Sequence, residues 1–108
     1  TYAADLAEAM LAVARQRIAG IFHCTNSGEA SWHQFACEIV KQAGLTVPVE
    51  PILAKEAEVR FGFKAPRPAY SVLDCSKIEH ALGIPPPPWE DSLEAVMPAM
   101  IAAWEADQ

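Results

Sequence analysis

The stretch Gly20-Ile21-Phe22-His23-Cys24-Thr25-Asn26-Ser27-Gly28-Glu29-Ala30-Ser31-Trp32 decides how the fold is read. Ile21 to Cys24 is a short apolar run with the composition of a strand, and it breaks at Asn26-Ser27-Gly28, a turn composition. Ser31 then stands where a helix cap belongs, with Gln34 at the reciprocal position three residues on. Behind it Trp32, Phe35, Ala36, Ile39, Val40 and Ala43 recur at spacings of three and four, a helical stripe that Gly44 closes. Strand, turn and capped helix in sequence point to an α/β unit.

Working outward, Asp5 is placed to cap an earlier helix, with Glu8 completing the start. Leu6, Met10, Val13 and Ile18 share its apolar face, and Gly20 ends it. Downstream, Val47, Val49 and Ile52 alternate with Pro48 and Pro51 among them, an edge-strand pattern. Residues 54 to 69 carry no strong period and read as a long loop with about one helical turn, and loops of that length are usually functional or mobile. Tyr70 to Leu73 is extended, and Ser76-Lys77-Ile78-Glu79 has the form of a capping box, with Ile78 and Leu82 facing inward and Gly83 as the stop. Pro85 to Pro88 form a stiff connector. A last helix starts near Trp89 or Asp91 and buries Leu93, Val96, Met97, Met100, Ile101 and Trp104, with Pro98 kinking or restarting it. The expectation is a single α/β domain over residues 1 to 108, with few short strands and about four helices. Three short strands are few for a self-standing sheet, so the pattern reads as one lobe of something larger, and Thr1-Tyr2-Ala3-Ala4-Asp5 as the middle of a chain.

The bulk numbers narrow the function classes. The chain has 108 residues, 52% of them apolar and 20% charged, which suits one ordinary globular domain. A net charge of −6 argues against a nucleic-acid binder that relies on electrostatics. Charge is unevenly spread: residues 54 to 77 hold Lys55, Arg60, Lys64, Arg67 and Lys77 against Glu56, Glu58 and Asp74, a locally positive stretch on an acidic remainder. Such a loop favours an anionic small ligand, or is simply a solvated loop of mixed charge. The apolar runs are too short to span a bilayer, and no signal-peptide pattern opens the chain. Cys24, Cys37 and Cys75 form no Cys-x-x-Cys, and His23 beside Cys24 lacks further ligands, so no metal site and reduced, structural cysteines are expected. His23, His33 and His80 have no Ser or Cys partner implied by spacing, so no catalytic residue is assigned.

Arg67-Pro68-Ala69-Tyr70-Ser71-Val72-Leu73-Asp74, followed by Ser76-Lys77-Ile78, places a planar fork of donors beside a segment stiffened by Pro66 and Pro68. This run resembles the carboxyl-terminal signature of the dTDP-4-dehydrorhamnose reductases, a family of extended short-chain dehydrogenases. Thr1 to Ala7 is similar to that family's entry into its substrate lobe, Gly20 to Trp32 to its strand, turn and capped helix, and Trp89-Glu90-Asp91-Ser92-Leu93 to its closing helix. The resemblance covers nearly all of the chain in order.

The resemblance implies an NADPH-dependent reduction of the 4-keto group of a dTDP-linked deoxysugar in the cytoplasm. It also implies that the cofactor and the Tyr-x-x-x-Lys pair sit on an amino-terminal Rossmann domain. This sequence departs from that half completely. It has no Gly-x-x-Gly-x-x-Gly run, and four residues beyond Tyr2 and Tyr70 stand Leu6 and Asp74 in place of lysine. What remains resembles the substrate-binding part, expected to be inactive and without cofactor when alone. Arg67 is then the expected contact to the pyrophosphate, with Asn26, Ser27 and Tyr70 as further substrate-binding residues. Asn26 and Ser27 also suit a plain turn, and Tyr70 a core aromatic. The expected partners are the dTDP-sugar, the Rossmann half and a second copy of the chain, with neither nucleic acid nor membrane. Two rivals stand beside this reading: the lobe of another nucleotide-sugar epimerase or reductase, and a reductase-like regulatory or assembly subunit without catalysis.

Overall fold

The computed structural model describes residues 1–62, 65 and 67–107. They form five α-helices: α1 Ala3–Arg15, α2 Trp32–Gln42, α3 Ala54–Phe61, α4 Ser76–Leu82 and α5 Trp89–Ala106. The chain divides into two compact units, one made of residues 1–29 and 73–108, the other of residues 30–72.

The first unit carries α1, α4 and α5. Its apolar core is Ile78 of α4 with Leu93 and Met97 of α5, all buried, and beside it lie two buried polar residues, Asn26 and Ser92. Leu93 and Met97 are one helical turn apart, so both fall on the same face of α5. The helix runs unbroken through Pro98. Pro98 is exposed, so its ring and missing N–H fall on the solvent side. The expected cap of α1 is corrected: Tyr2 is its N-cap and offers no side-chain bond, while Asp5 lies in the first turn and its carboxylate is drawn into the unit. For α4, Cys75 takes the cap position, with Ser76 already helical. Asp74 supplies the capping acceptor instead, its Oδ1 receiving the Ser76 N–H at 2.9 Å.

The second unit carries α2 and α3. Ser31 and Gln34 form the reciprocal capping box that the sequence predicts, at 3.1 Å and 2.8 Å. Trp32, expected in a core, is 80% exposed. The long loop expected at 54 to 69 is half helix, because α3 occupies Ala54–Phe61 and ends on Gly62 in the left-handed conformation. Lys64 and Pro66, to which the sequence assigns anion attraction and backbone stiffening, lie outside the described residues.

The expected strands at 21–24, 47–52 and 70–73 are not strands among the described residues. A segment becomes a strand by pairing, and here the carbonyls of the first two are taken by side chains. Ile21 O accepts from Lys77 Nζ at 2.8 Å, and Val49 O meets His33 Nε2 at 3.0 Å. Pro48 and Pro51 further remove two ladder donors around Val49. The described residues hold one isolated parallel bridge, Ser27 with Pro88.

Candidate functional site

The best-defined polar cluster in the first unit centres on Asn26. Its Oδ1 accepts the main-chain N–H of Tyr2 at 2.7 Å. The two hydrogens of its Nδ2 are shared among three acceptors, Asp5 Oδ2 at 2.6 Å, Ser92 Oγ at 2.9 Å and the Pro87 carbonyl at 3.2 Å. Ser92 Oγ donates in turn to the same Asp5 oxygen. Burial explains the arrangement: an amide and a hydroxyl removed from water must find partners inside, and these find one another. The amide of Asn26 is thereby engaged at both ends by the chain itself.

Ser27 follows directly and is fixed through its main chain. Its N–H donates to Pro87 O at 2.8 Å, and its carbonyl accepts from Trp89 N at 3.1 Å. The Pro87 carbonyl also accepts from the Asn26 amide, while the Pro88 carbonyl is taken by Ser92 N, so Pro87 and Trp89 form the edge against which the turn docks. Gly28 has φ +82, and a Cβ there would sit 3.1 Å from Trp89 Cδ1. The turn therefore needs glycine both for its left-handed backbone and for the close approach of the indole. Ser27 itself is half-buried.

Arg67 and Tyr70 belong to the second unit. Both are exposed, Tyr70 by 69% of its surface, so the core role open to it in the sequence does not apply. Arg60, expected to help attract an anion, lies over the ring of Phe61 at 5.5 Å. Of the expected substrate-binding residues, Asn26 and Ser27 are thus adjacent in one unit, while Arg67 and Tyr70 sit three residues apart in the other.

Sequence reasoning missed two contacts. His33 Nε2 lies 3.5 Å from Cys37 Sγ, so one histidine does have a thiol neighbour, and the spacing of four on a helix was the available signal. The same nitrogen meets Val49 O, so a neutral ring that protonates it spends its N–H on a carbonyl. The second is Lys77, whose ammonium caps the ring of Phe22 at 4.8 Å besides bonding Ile21 O. No signal in the sequence joins residues so far apart. The Cys24 thiol is pushed up from its ordinary value by burial first, with Cys75 and Asp5 adding to it, which disfavours the reactive thiolate. Among the described residues, no three His, Cys, Asp or Glu side chains come together as a metal site. No helix among them is long and apolar enough to cross a membrane.

A family model described as the RmlD substrate binding domain matches residues 1–101. Among curated proteins, the chain is 42% identical over 93 residues to the spore coat polysaccharide biosynthesis protein SpsK of Bacillus subtilis (strain 168), covering 86% of this chain and 31% of that protein. It is 35% identical over 112 residues to the dTDP-4-dehydrorhamnose reductase of Sinorhizobium fredii, covering 94% of this chain and 36% of the relative. It is also 32% identical over 105 residues to a probable dTDP-4,6-dihydroxy-2-methyloxan-3-one 4-ketoreductase of Streptomyces antibioticus, covering 95% of this chain and 34% of the relative. The chain spans about a third of the length of these relatives. No solved structure matches.

Proposed function

The chain belongs to the RmlD substrate-binding domain family, and on that premise we propose that it is the part of a dTDP-sugar reductase that holds the nucleotide-sugar. The observation that carries this reading is the family match across residues 1–101, which takes in all four expected contact residues. Relatives named as reductases of dTDP-linked sugars support it.

In this reading Arg67 meets the pyrophosphate, because a guanidinium fork presents paired donors to two anionic phosphates at once. Tyr70, exposed three residues on, supplies an aromatic face for the base or sugar. Ser27 offers its hydroxyl from a turn whose main chain is already fixed, so little ordering remains on binding. Asn26 contributes by holding that turn.

NADPH is the expected reductant of the longer protein, but the residues present do not build a site for it. The five glycines stand alone at 20, 28, 44, 62 and 83, each with positive φ at a turn or helix end, and none belongs to a glycine-rich phosphate loop. No hydride step is therefore derived from this chain. Its role is positioning: binding the nucleotide handle places the keto carbon for a reaction whose reductant is held elsewhere. An amino-terminal Rossmann half and a cytoplasmic setting complete the proposal.

The test is calorimetric titration with dTDP and with UDP, on this chain and on a longer form carrying the remaining two thirds. dTDP is expected to bind, and Arg67→Ala to weaken it by about 1.5–3 kcal/mol, as for loss of a charge-assisted hydrogen bond. A longer form that binds neither nucleotide would overturn the reading. A longer form that binds dTDP equally well with Arg67→Ala would remove Arg67 from it.

A further inference from the structure

We infer that α1 is a separable element, fastened to its unit chiefly by the polar latch of Asp5, Asn26 and Ser92, with an apolar face that is only partly covered. No residue of α1 is buried, and Met10 and Leu11 are 64% and 52% exposed. Cavities of about 550 and 540 Å³ flank the helix. One is lined by Leu11 and Arg15 with Leu82 and Ile84, the other by Met10 and Val13 with Phe22. Helices α4 and α5, by contrast, bury Ile78, Leu93 and Met97.

The attachment is concentrated at the first turn of α1. There the Tyr2 N–H and the Asp5 carboxylate meet Asn26, and Asp5 also meets Ser92. Asn26 and Ser92 are themselves buried, so the receiving half of the latch belongs to the α5 core. At its other end α1 leads into a segment with two residues of positive φ, Arg17 at 54° and Gly20 at 135°. The Arg17 N–H donates to Ala14 O and the Ile18 N–H to Val13 O, so the left-handed turn at Arg17 is the closure of α1 itself and adds no fastening to the rest of the unit. A helix with no fully buried residue and with its polar fastening concentrated at one end opens below the cost of global unfolding. This inference is independent of the proposed ligand.

Hydrogen-exchange mass spectrometry on the 108-residue chain tests it. After correction for intrinsic rates, amides of α1 are expected to exchange at least about tenfold faster than those of α5 around Leu93 and Met97. Asn26→Ala is expected to speed α1 by about tenfold more while changing α4 and α5 less than about threefold. Should Asn26→Ala unfold the unit, Ser92→Ala, which removes one partner and leaves the Asn26–Asp5 bond, carries the same expectation in milder form. Met97→Ala serves as the apolar control and is expected to loosen α4 and α5 without raising the α1 rate further. A uniform corrected rate across the three helices, whether slow or at the unprotected limit, overturns the inference. So does an α1 rate that neither Asn26→Ala nor Ser92→Ala changes.

Discussion

Asp74 shows how a single exposed carboxylate sets a helix start. Its pKa lies below the ordinary aspartate value because the Ser76 side chain and main-chain N–H both hydrogen-bond to it, with His23 adding a weaker attraction. The sign follows from linkage. A group whose folded pKa is depressed stabilises the fold above its unfolded value, near pH 4, and that contribution is lost as pH falls through the lower folded value. Wild type should therefore be more stable than Asp74→Asn at neutral pH, with the difference closing as the solution is acidified below about pH 4. Urea unfolding of both proteins across that range checks it, and a difference that widens in acid would contradict the assignment. The charge acts where the helix dipole is positive, so the cap is electrostatic as well as geometric.

At the scale of elements, what was legible in the sequence was local chemistry. The capping box of α2 joins residues three apart, and the start of α5 near Trp89 follows a proline run, so neighbours alone define both. The strands failed because pairing is not local: Ile21 O and Val49 O found Lys77 and His33 in place of a neighbouring strand. Helix α3 was missed for the opposite reason. Ala54-Lys55-Glu56-Ala57-Glu58-Val59-Arg60 has no apolar stripe to detect, yet most of its residues are strong intrinsic helix formers. Helix α5 carries an element-scale cost at Pro98, whose missing N–H leaves the Glu94 carbonyl without its helical donor. Because Pro98 is exposed, Pro98→Ala should stabilise the helix by about 2–2.6 kcal/mol, the interior proline penalty less the entropy returned to the unfolded chain. Far-UV circular dichroism with urea unfolding measures this. A less stable variant would mean that the ring has a packing role.

For the whole molecule, the apolar residues that stay uncovered matter most. Ile21 and Val59 are 83% and 84% exposed, and Trp32 nearly as much. Apolar side chains left this open lower the cost of bringing two copies together. The chain is accordingly expected to self-associate above micromolar concentrations, and sedimentation velocity over a dilution series checks this. A single monomer boundary at every concentration would contradict it. The candidate site was legible only in part, and for the same reason of range. In the sequence Asn26 and Ser27 read as a turn. That Asn26 is tied to Tyr2, Asp5, Pro87 and Ser92 depends on segments 21 to 66 residues away, which no spacing rule connects.

The tryptophans are divided between the units, Trp32 in one, Trp89 and Trp104 in the other. Trp89 is half-buried against Gly28, while Trp32 and Trp104 stand mostly in solvent. The protein thus carries its own optical labels. With Trp104 replaced by phenylalanine, a blue-shifted, iodide-shielded emission belongs to residue 89 and a red-shifted, quenchable one to residue 32. Denaturation followed in the two bands then reads each unit separately, and shows whether they melt as one body or as two.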